Sequence, residues 1–272
     1  MEQKHGRRQR VPCRKKHVYW HLEKHIWMQS MCAICMAETF CGLYGACSTS
    51  GEALALSAMS VAAGYGEYML AVTSSHFGSA EKEFRFPLGY ASQRPLSASW
   101  TVTGSGAFLV GRQKSHVRIT GVTVGKIVDY GLKDSQNMGA CMAPAAADTI
   151  LTNLKDFGRS PTSYDRIITG DLGYIGQSIL LDFMSKNGHQ MRDRHLDCGM
   201  KIFDQEKQDT HAGGSGCGCA AVTLSAYILP KIQKGEWKRV LFVPTGALMS
   251  TVSYNEGASV PGIAHGIVLE HC

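Results

Sequence analysis

The chain has 272 residues, of which 44% are hydrophobic and 18% charged, and its formal net charge is +6. This length and composition predict a globular protein of one large or two small domains and exclude an intrinsically disordered chain. No uncharged apolar run approaches the roughly 18 residues of a membrane-spanning helix, and no apolar segment with a small-residue cleavage site follows the basic start. The sequence therefore predicts neither a transmembrane helix nor a secretory signal.

The positive charge is concentrated in residues 1–40, which contain eight Lys or Arg and three Glu and so carry +5 of the +6. This segment shows no helical or strand periodicity. A basic arm that binds nucleic acid or a membrane surface is one interpretation. A zinc site is another, with Cys32 and Cys35 in C-x-x-C spacing and three histidines upstream, His17, His21 and His25. We favour a third, a start that is out of frame or otherwise not native, and expect no nucleic-acid partner and no metal.

From Gly42 onward the chain predicts alternating helices and strands. Hydroxyl residues within 45–51 can cap a helix, which continues through the small apolar residues 54–63 and ends at Gly64. Residues 69–73 predict a short buried strand. Three more strand candidates follow, at 99–103, 106–110 and 117–124.

The second part of the chain also predicts alternating helices and strands. We predict helices at 145–157, with Pro144 near the start of the first, at 175–187 and at 220–234. Strands are predicted at 166–170, 239–243 and 263–269.

An internal repeat is visible between residues 45–73 and 213–244. Each copy has a Gly/Cys/Ser turn, a helix, a glycine, an acidic and an aromatic residue, and then a strand. Two copies of one α/β unit indicate a duplicated architecture. The second copy includes an additional strand and helix at 166–187 that the first copy lacks.

Duplicated halves with a cysteine at the start of the first buried helix resemble the thiolase fold. Seven blocks, in order, resemble the stage V sporulation protein AD family: GACSTS at 45–50, AVTSSH at 71–76, TVTGSG at 101–106, MAPAAAD at 142–148, TGDL at 169–172, AGGSGC at 212–217 and IAHG at 263–266.

This resemblance covers residues 41–272 and implies an α/β fold. Its duplicated βαβαβ halves would form α-β-α-β-α layers, with the first half incomplete. Residues 41–130 would be the remnant of the first half, and residues 131–272 would be the second half. Residues 1–40 would lie outside this fold.

Cys47 occupies the position of the acyl-accepting cysteine in condensing enzymes of the thiolase fold. A helix N-terminus can lower a thiol pKa from its usual ~8.5. The matching positions for the catalytic His and Asn of those enzymes read Thr169-Gly-Asp171 and Gly213–Cys217 instead. An ionised Asp171 cannot donate to an oxyanion. We therefore predict no catalytic residue, and a condensing enzyme or acyl transferase using Cys47 is the alternative.

Candidate ligand-binding residues are those that the topology places near strand ends or helix starts: Cys47, His76, Asp171, Gly214, Ser215 and His265. Asp171 ends a strand, where open α/β sheets place functional groups. The backbone N–H groups of the glycine-rich loop at 213–216 can bind a carboxylate or phosphate. Arg94 and Lys126 are possible anion partners, but a solvated surface position is favoured for both.

The resemblance implies a non-catalytic protein that binds dipicolinate (pyridine-2,6-dicarboxylate) and supports its uptake into the forespore. It also implies other proteins of a spore membrane channel complex as partners. Calcium is a possible companion of the ligand, and no cofactor is predicted. With no membrane span, the expected location is peripheral, at the cytoplasmic face of the forespore inner membrane. By analogy, a homodimer is expected to form through the strand at residues 69–73.

Overall fold

The structure is a computed structural model, and it describes residues 30–36, 39–84 and 93–272. The strands are β1 Ser30–Met36, β2 Thr39–Gly42, β3 Tyr68–Ser75, β4 Trp100–Thr101, β5 Gly104–Gly111, β6 Val117–Thr123, β7 Arg166–Thr169, β8 His195–Asp197, β9 Gly214–Ser215, β10 Arg239–Val243, β11 Thr245–Ala247, β12 Gly262–Ala264 and β13 Gly266–His271. The helices are α1 Thr49–Ala63, α2 Phe77–Phe84, α3 Met138–Asp156, α4 Gly173–Lys186, α5 Cys198–Lys201, α6 Cys217–Thr223, α7 Leu229–Gln233 and α8 Thr251–Asn255.

Two sheets carry the fold. The first has the order β2-β1-β3-β5 with antiparallel neighbours throughout, and the second has the order β6-β13-β10-β7-β8. In the second sheet β7 runs parallel to both β10 and β8, whereas β13 is antiparallel to β10 and β6. The carboxyl ends of β7, β8 and β10 therefore meet at one edge of the second sheet.

The helices form layers around these sheets. Helices α1, α6 and α7 lie between the two sheets, and their small apolar side chains form one core with Ile168, Phe242 and Ile267. Helices α3 and α4 cover the opposite face of the second sheet and form a second core around Met142, Leu180 and Leu241. Burial of these apolar faces against the sheets is the main stabilising contribution to such a layered fold.

The predicted internal repeat corresponds to two structural halves. Helix α1, β3 and β5 of the first half match α6–α7, β10 and β13 of the second, and each strand pair is antiparallel. The position next to β10 is filled by β7 in parallel orientation, but the position next to β3 is filled by β1 in antiparallel orientation. The first half thus lacks the parallel strand and crossover helix that the second half has at this position.

Part of the segment expected to lie outside the fold is structured. Strand β1 and the start of β2 fall within residues 1–40, and β1 pairs with β3 from Ser30↔Ser75 to Cys35↔Leu70. That part of the expectation is wrong, because pairing with a distant strand gives these residues hydrogen-bond partners that periodicity does not show. Residues 1–29, with the proposed zinc ligands His17, His21 and His25, lie outside the described residues.

The same pairing bears on the predicted dimer. Strand β3 is hydrogen-bonded to β1 on one side and to β5 on the other, so neither of its edges is open to a second chain. The strand at residues 69–73 is therefore not available as the dimer contact that the sequence predicts. The homodimer itself stays a prediction.

Three predicted elements differ from the structure by more than two residues at one end or are interrupted. Helix α3 begins seven residues before residue 145, because the Asn137 side chain caps it by accepting from the Ala140 N–H, and Pro144 lies inside the helix. The predicted helix 220–234 contains a π-helical turn, Leu224–Ile228, which ends two residues before Pro230. Proline has no N–H to donate to the regular helical hydrogen bonds, so the ladder is irregular here. The predicted strand 263–269 is two strands, β12 and β13, separated at His265.

Candidate functional site

Cys47 lies in a tight turn that leads directly into α1. The turn spans Ala46–Ser48, and Ala46 has a φ of +51°, a left-handed conformation that is uncommon for a residue with a side chain. Gly246 of β11 packs against this turn so closely that a Cβ there would lie 2.5 Å from the Gly45 carbonyl oxygen. The second half of the fold thus holds the turn that presents Cys47.

Asp171 follows β7 and faces this turn. Its side chain is almost completely buried, with 3% of the residue exposed. One carboxyl oxygen accepts from the Gly216 N–H at 2.9 Å, and the other accepts from the Thr245 hydroxyl, also at 2.9 Å. The Cys47 thiol lies close enough to this carboxyl group for each to shift the pKa of the other. We call Cys47, Asp171, Gly216 and Thr245 the Asp171 cluster.

The pKa values of Asp171 and of the Cys47 thiol are both raised. Burial raises the pKa of Asp171 to about 7, although the neighbouring Cys47 thiol and the hydrogen bonds from Gly216 and Thr245 oppose the shift. Burial, followed by the negative charge of Asp171, raises the pKa of the Cys47 thiol well above its ordinary value. These effects outweigh the lowering that a helix N-terminus can give, so Cys47 holds its proton at neutral pH.

A second buried carboxylate, Asp197, fixes the backbone on which Asp171 sits. It accepts hydrogen bonds from the N–H groups of Leu172, Gly173 and Met200 at 2.9–3.2 Å. The Thr169 hydroxyl donates to it at 2.6 Å. These bonds hold the start of α4 and the start of α5 around one side chain.

Thr169 connects Asp197 to a neutral histidine. The Thr169 hydroxyl lies 3.0 Å from Nε2 of His195, and the Gln177 amide lies 3.0 Å from Nδ1 of the same ring. Burial lowers the pKa of His195 to about 3, so the ring is uncharged at neutral pH. Because the threonine hydroxyl donates to Asp197, Nε2 of His195 must carry the proton that Thr169 accepts.

The Thr169→Val substitution is expected to destabilise the folded chain by about 2 kcal/mol, because it leaves a buried imidazole N–H and a carboxylate oxygen without this partner. Denaturant unfolding followed by circular dichroism measures the change. Thr73→Val is the matched control: its hydroxyl is equally buried but has no hydrogen-bond partner among the residues that the structure describes. A Thr169→Val variant as stable as the control would contradict this role for the hydroxyl.

The glycine-rich loop lies where the sequence places it, but its backbone is already engaged. Gly214 and Ser215 form β9, which pairs in parallel with Trp100 and Thr101 of β4. The Gly216 N–H, a predicted anion donor, is bonded to the Asp171 carboxyl group. The carboxylate held by this loop is therefore one from the protein itself.

The two predicted histidines lie in different surroundings. His265 is 7% exposed and separates β12 from β13; its Nδ1 accepts from the Gly125 N–H at 3.3 Å, and burial lowers its pKa. Its own backbone N–H donates to the Pro244 carbonyl group, one residue before Thr245. His76 is exposed at the start of α2 and accepts from the Ala80 N–H through its carbonyl oxygen. The structure thus brings together Cys47, Asp171 and the loop at 213–216, and leaves His76 outside that cluster.

On the other side of β9 is an open cleft of about 620 Å³. Gly214 of the glycine-rich loop borders this cleft, because a Cβ on it would contact Phe203 and Val102 of the cleft wall. We call this space the aromatic cleft; its walls include Phe77, Trp100, Val102, Ile202, Phe203 and Thr210. A second, smaller cleft of about 360 Å³ adjoins it and shares Thr210.

Arg94 lies behind the Trp100 wall of the aromatic cleft. Only 1% of its side chain is exposed, so the predicted surface position for Arg94 is wrong. Its guanidinium carbon lies 3.8 Å from the centre of the Trp100 ring, and Nη2 is 3.3 Å from a carboxylate oxygen of Asp209. Stacking on an aromatic ring and pairing with one carboxylate explain how this charge is buried.

Comparison with known proteins decides the family. The family model described as stage V sporulation protein AD matches residues 21–270. The chain is also 43% identical over 231 residues to stage V sporulation protein AD of Bacillus subtilis, which covers 85% of this chain and 68% of that protein. The chain belongs to the stage V sporulation protein AD family. This family is a family of sporulation proteins.

Solved structures share the fold of this family member. A tetronic acid condensing enzyme is 15% identical with a TM-score of 0.55, over 84% of this chain and 67% of that one. A 3-oxoacyl-(acyl carrier protein) synthase III from Pseudomonas aeruginosa is 10% identical with a TM-score of 0.51, over 84% and 66%. A thiolase from Ascaris suum is 10% identical with a TM-score of 0.50, over 85% and 78%. The fold is therefore α/β and thiolase-like.

Some members of this site were missed by sequence reasoning. Thr245 comes directly after Pro244 at the end of β10, which runs parallel to β7, so the strand-end argument applied to Asp171 would also have found Thr245. Asp197 ends β8 at the same edge. Arg94 and Thr210 lie in loops, and nothing in the local sequence indicates that both are buried.

Two features that other functions require are not found in the described part of the chain. Within residues 30–36, 39–84 and 93–272, no three His, Cys, Asp or Glu side chains are grouped as metal ligands. No helix in these ranges combines the length and hydropathy that crossing a bilayer requires.

Proposed function

We propose that this chain binds dipicolinate without transforming it, and that this binding supports uptake of dipicolinate into the forespore during sporulation. Membership of the stage V sporulation protein AD family supports the biological setting. The identity of the ligand is taken from the family resemblance.

The buried Asp171 carboxyl group beside the Cys47 thiol, which already accepts from the Gly216 N–H, is the observation that carries the choice of binding over catalysis. Acyl transfer to a cysteine needs a thiolate and donors aimed at the developing oxyanion. Here a buried acid next to the sulfur disfavours the thiolate. The nearby Gly216 N–H, which could serve an oxyanion, is bonded to the same carboxyl group.

An acyl transferase or condensing enzyme is the second candidate. The position of Cys47 at the start of a buried helix, after a residue with a left-handed backbone, favours it. Its requirement is a reactive Cys47 thiol, which alkylation can measure directly.

The proposal includes a setting for the protein in the cell. We place it peripherally at the cytoplasmic face of the forespore or spore inner membrane, together with other proteins of the spore membrane channel complex, and as a homodimer. Calcium would accompany dipicolinate as its chelated ion. Co-purification of these proteins with the tagged chain from sporulating cells would test the assembly.

Titration of dipicolinate into the full chain by isothermal calorimetry is expected to give a saturable heat with one site per chain. Recovered ligand should be unchanged by mass spectrometry, because no group is transferred. Acetyl-coenzyme A is the comparison ligand, with release of free coenzyme A as the readout for the second candidate. Absence of a saturable heat with dipicolinate, with and without calcium, would contradict the proposed function.

A further inference from the structure

The end of the molecule opposite to the Asp171 cluster is formed by helix ends and strand ends. Helices α1, α3, α4 and α7 all end there, at the edge of the second sheet where β6, β7 and β10 begin and β13 ends. Arg112 donates to the Val61 and Ala62 carbonyl groups at the end of α1, and Nδ1 of His271 lies 2.8 Å from the Ile232 carbonyl oxygen in α7. We call this surface the basic face; it consists of residues 62–68, 111–118, 155–166, 186–194, 231–239 and 270–272.

The charges of the described chain are separated between the basic face and the rest. The basic face has 13 Lys or Arg and 6 Asp or Glu, a formal side-chain charge of +7. The rest of the described chain has 6 Lys or Arg and 13 Asp or Glu, a formal side-chain charge of −7. Strand β6 runs from the basic face to the opposite edge of the sheet, and its seven residues span about 23 Å. Because this length exceeds the Debye length of about 8 Å at physiological ionic strength, the acidic part does not cancel the field of the basic face.

The acids of the basic face are engaged inside it, whereas several lysines are not. Glu270 pairs with three arginines, and Glu236 pairs with a neighbouring lysine. Lys114, Lys155 and Lys238 are exposed, and none of them forms an ion pair with a residue that the structure describes. The positive charge that faces solvent is therefore carried by flexible lysine side chains.

The four helix ends oppose this positive field only weakly. A helix C-terminus carries about half a negative elementary charge, which makes about two for the four helices against the formal +7. A pocket for a single phosphate group typically uses a helix N-terminus, and α1, α3, α4 and α7 begin at the other end of the molecule. The basic face is thus a broad positive surface and not a pocket for one anion.

A broad positive surface of this kind fits a membrane that contains anionic lipids. Lysines near such a membrane are attracted by its surface potential without needing individual pockets. Tyr65, directly after the end of α1, is 77% exposed at this face, and tyrosine side chains favour the boundary between membrane and water. Sequence readers of DNA lay a helix or strand along a groove, whereas the described residues here are the ends of helices and strands.

We propose that the basic face is the surface by which this chain lies on a membrane that contains anionic lipids. The contact is electrostatic and peripheral. It leaves the Asp171 cluster facing away from the membrane, because the carboxyl ends of β7, β8 and β10 lie at the opposite end. This inference rests on the proposed function for its membrane setting and does not depend on dipicolinate binding.

Co-sedimentation with vesicles tests this contact, with the full chain and two triple variants that lose the same charge. The test variant is Lys114→Gln, Lys155→Gln and Lys238→Gln. The control variant is Lys126→Gln, Lys133→Gln and Lys207→Gln, whose lysines are equally exposed but lie outside the basic face. Vesicles of phosphatidylcholine with phosphatidylglycerol are compared with vesicles of phosphatidylcholine alone, at low and at high salt.

Each lysine lost from the contact is expected to weaken binding to the anionic vesicles about fivefold, so the test variant should bind about a hundredfold more weakly than the wild type. The control variant should bind like the wild type. Binding of the wild type should fall at high salt and be absent with phosphatidylcholine alone. Thermal unfolding checks that both variants fold like the wild type.

The outcomes separate this inference from the proposed function. Loss of anionic-vesicle binding in the test variant alone supports the basic face. Equal binding by the wild type and the test variant overturns it, as does an equal loss in both variants, which would show that net charge alone matters. A wild type that binds double-stranded DNA but not anionic vesicles, or neither, also overturns it. Dipicolinate titrations of the test variant should match those of the wild type, so failure of the proposed function is seen separately.

Discussion

We expect the free energy of unfolding of the Asp171→Asn variant, minus that of the wild type, to rise by about 4 kcal/mol between pH 4 and pH 8. Burial raises the pKa of the Asp171 carboxyl group from its ordinary value near 3.8 to about 7. The folded wild type therefore keeps a proton that the unfolded chain releases above about pH 4. Its stabilising effect is fully present below pH 3.8 and is lost as the pH rises through 7.

Asparagine at this position cannot ionise and so removes this dependence. Its carbonyl oxygen can still accept from the Gly216 N–H, and its amide can donate to the Thr245 hydroxyl oxygen, which also accepts from the backbone N–H of residue 171. Other groups that titrate in this range, such as His195, are present in both proteins and cancel in the difference.

Denaturant unfolding of both proteins at several pH values between 4 and 8 measures this difference. Asp182→Asn is the control, because Asp182 is exposed and forms a surface ion pair with Lys186, and no comparable pH dependence is expected for it. A difference between wild type and Asp171→Asn that does not change with pH would show that the folded chain carries Asp171 ionised throughout.

Cys47 is expected to react with iodoacetamide at pH 7.5 at least about tenfold more slowly than the exposed Cys41 and Cys272. The thiolate is the reacting species, and burial together with the charge of Asp171 raises the pKa of the Cys47 thiol. Mass spectrometry of the labelled peptides over time gives each rate in the same sample. Rapid labelling of Cys47 would contradict the proposed non-catalytic role and favour the condensing enzyme.

Asp171→Asn separates the effect of charge from that of limited access. Removal of the neighbouring charge is expected to increase the Cys47 labelling rate several-fold, although the sulfur is no more exposed. The buried Cys198 and Cys219 report on the fold, since both should stay unlabelled while the chain is folded. An unchanged Cys47 rate in this variant would show that access, and not the charge of Asp171, limits the reaction.

Local sequence signals predict only some of the residues of the candidate site. Cys47 and Asp171 were predicted because a helix start and a strand end are visible in a short window of sequence. Gly214 and Ser215 were predicted for their backbone N–H groups, but β9 pairs them with β4, and Gly216 donates to Asp171. Both partners are distant in the chain, 45 residues in the case of Gly216 and Asp171 and more in the case of β9 and β4, and no local pattern encodes such contacts.

Sequence by itself determined the family, the α/β class and the internal duplication. It also predicted two residues of the Asp171 cluster, Cys47 and Asp171. These features depend on short-range periodicity and on the residues at turns, which are properties of contiguous segments. Tertiary structure alone decided that the Cys47 thiol lies beside a buried carboxyl group and that Arg94 lies inside the protein. Burial and the distance between charges set the pKa of a thiol or the cost of placing a guanidinium, and both arise only when distant segments pack together.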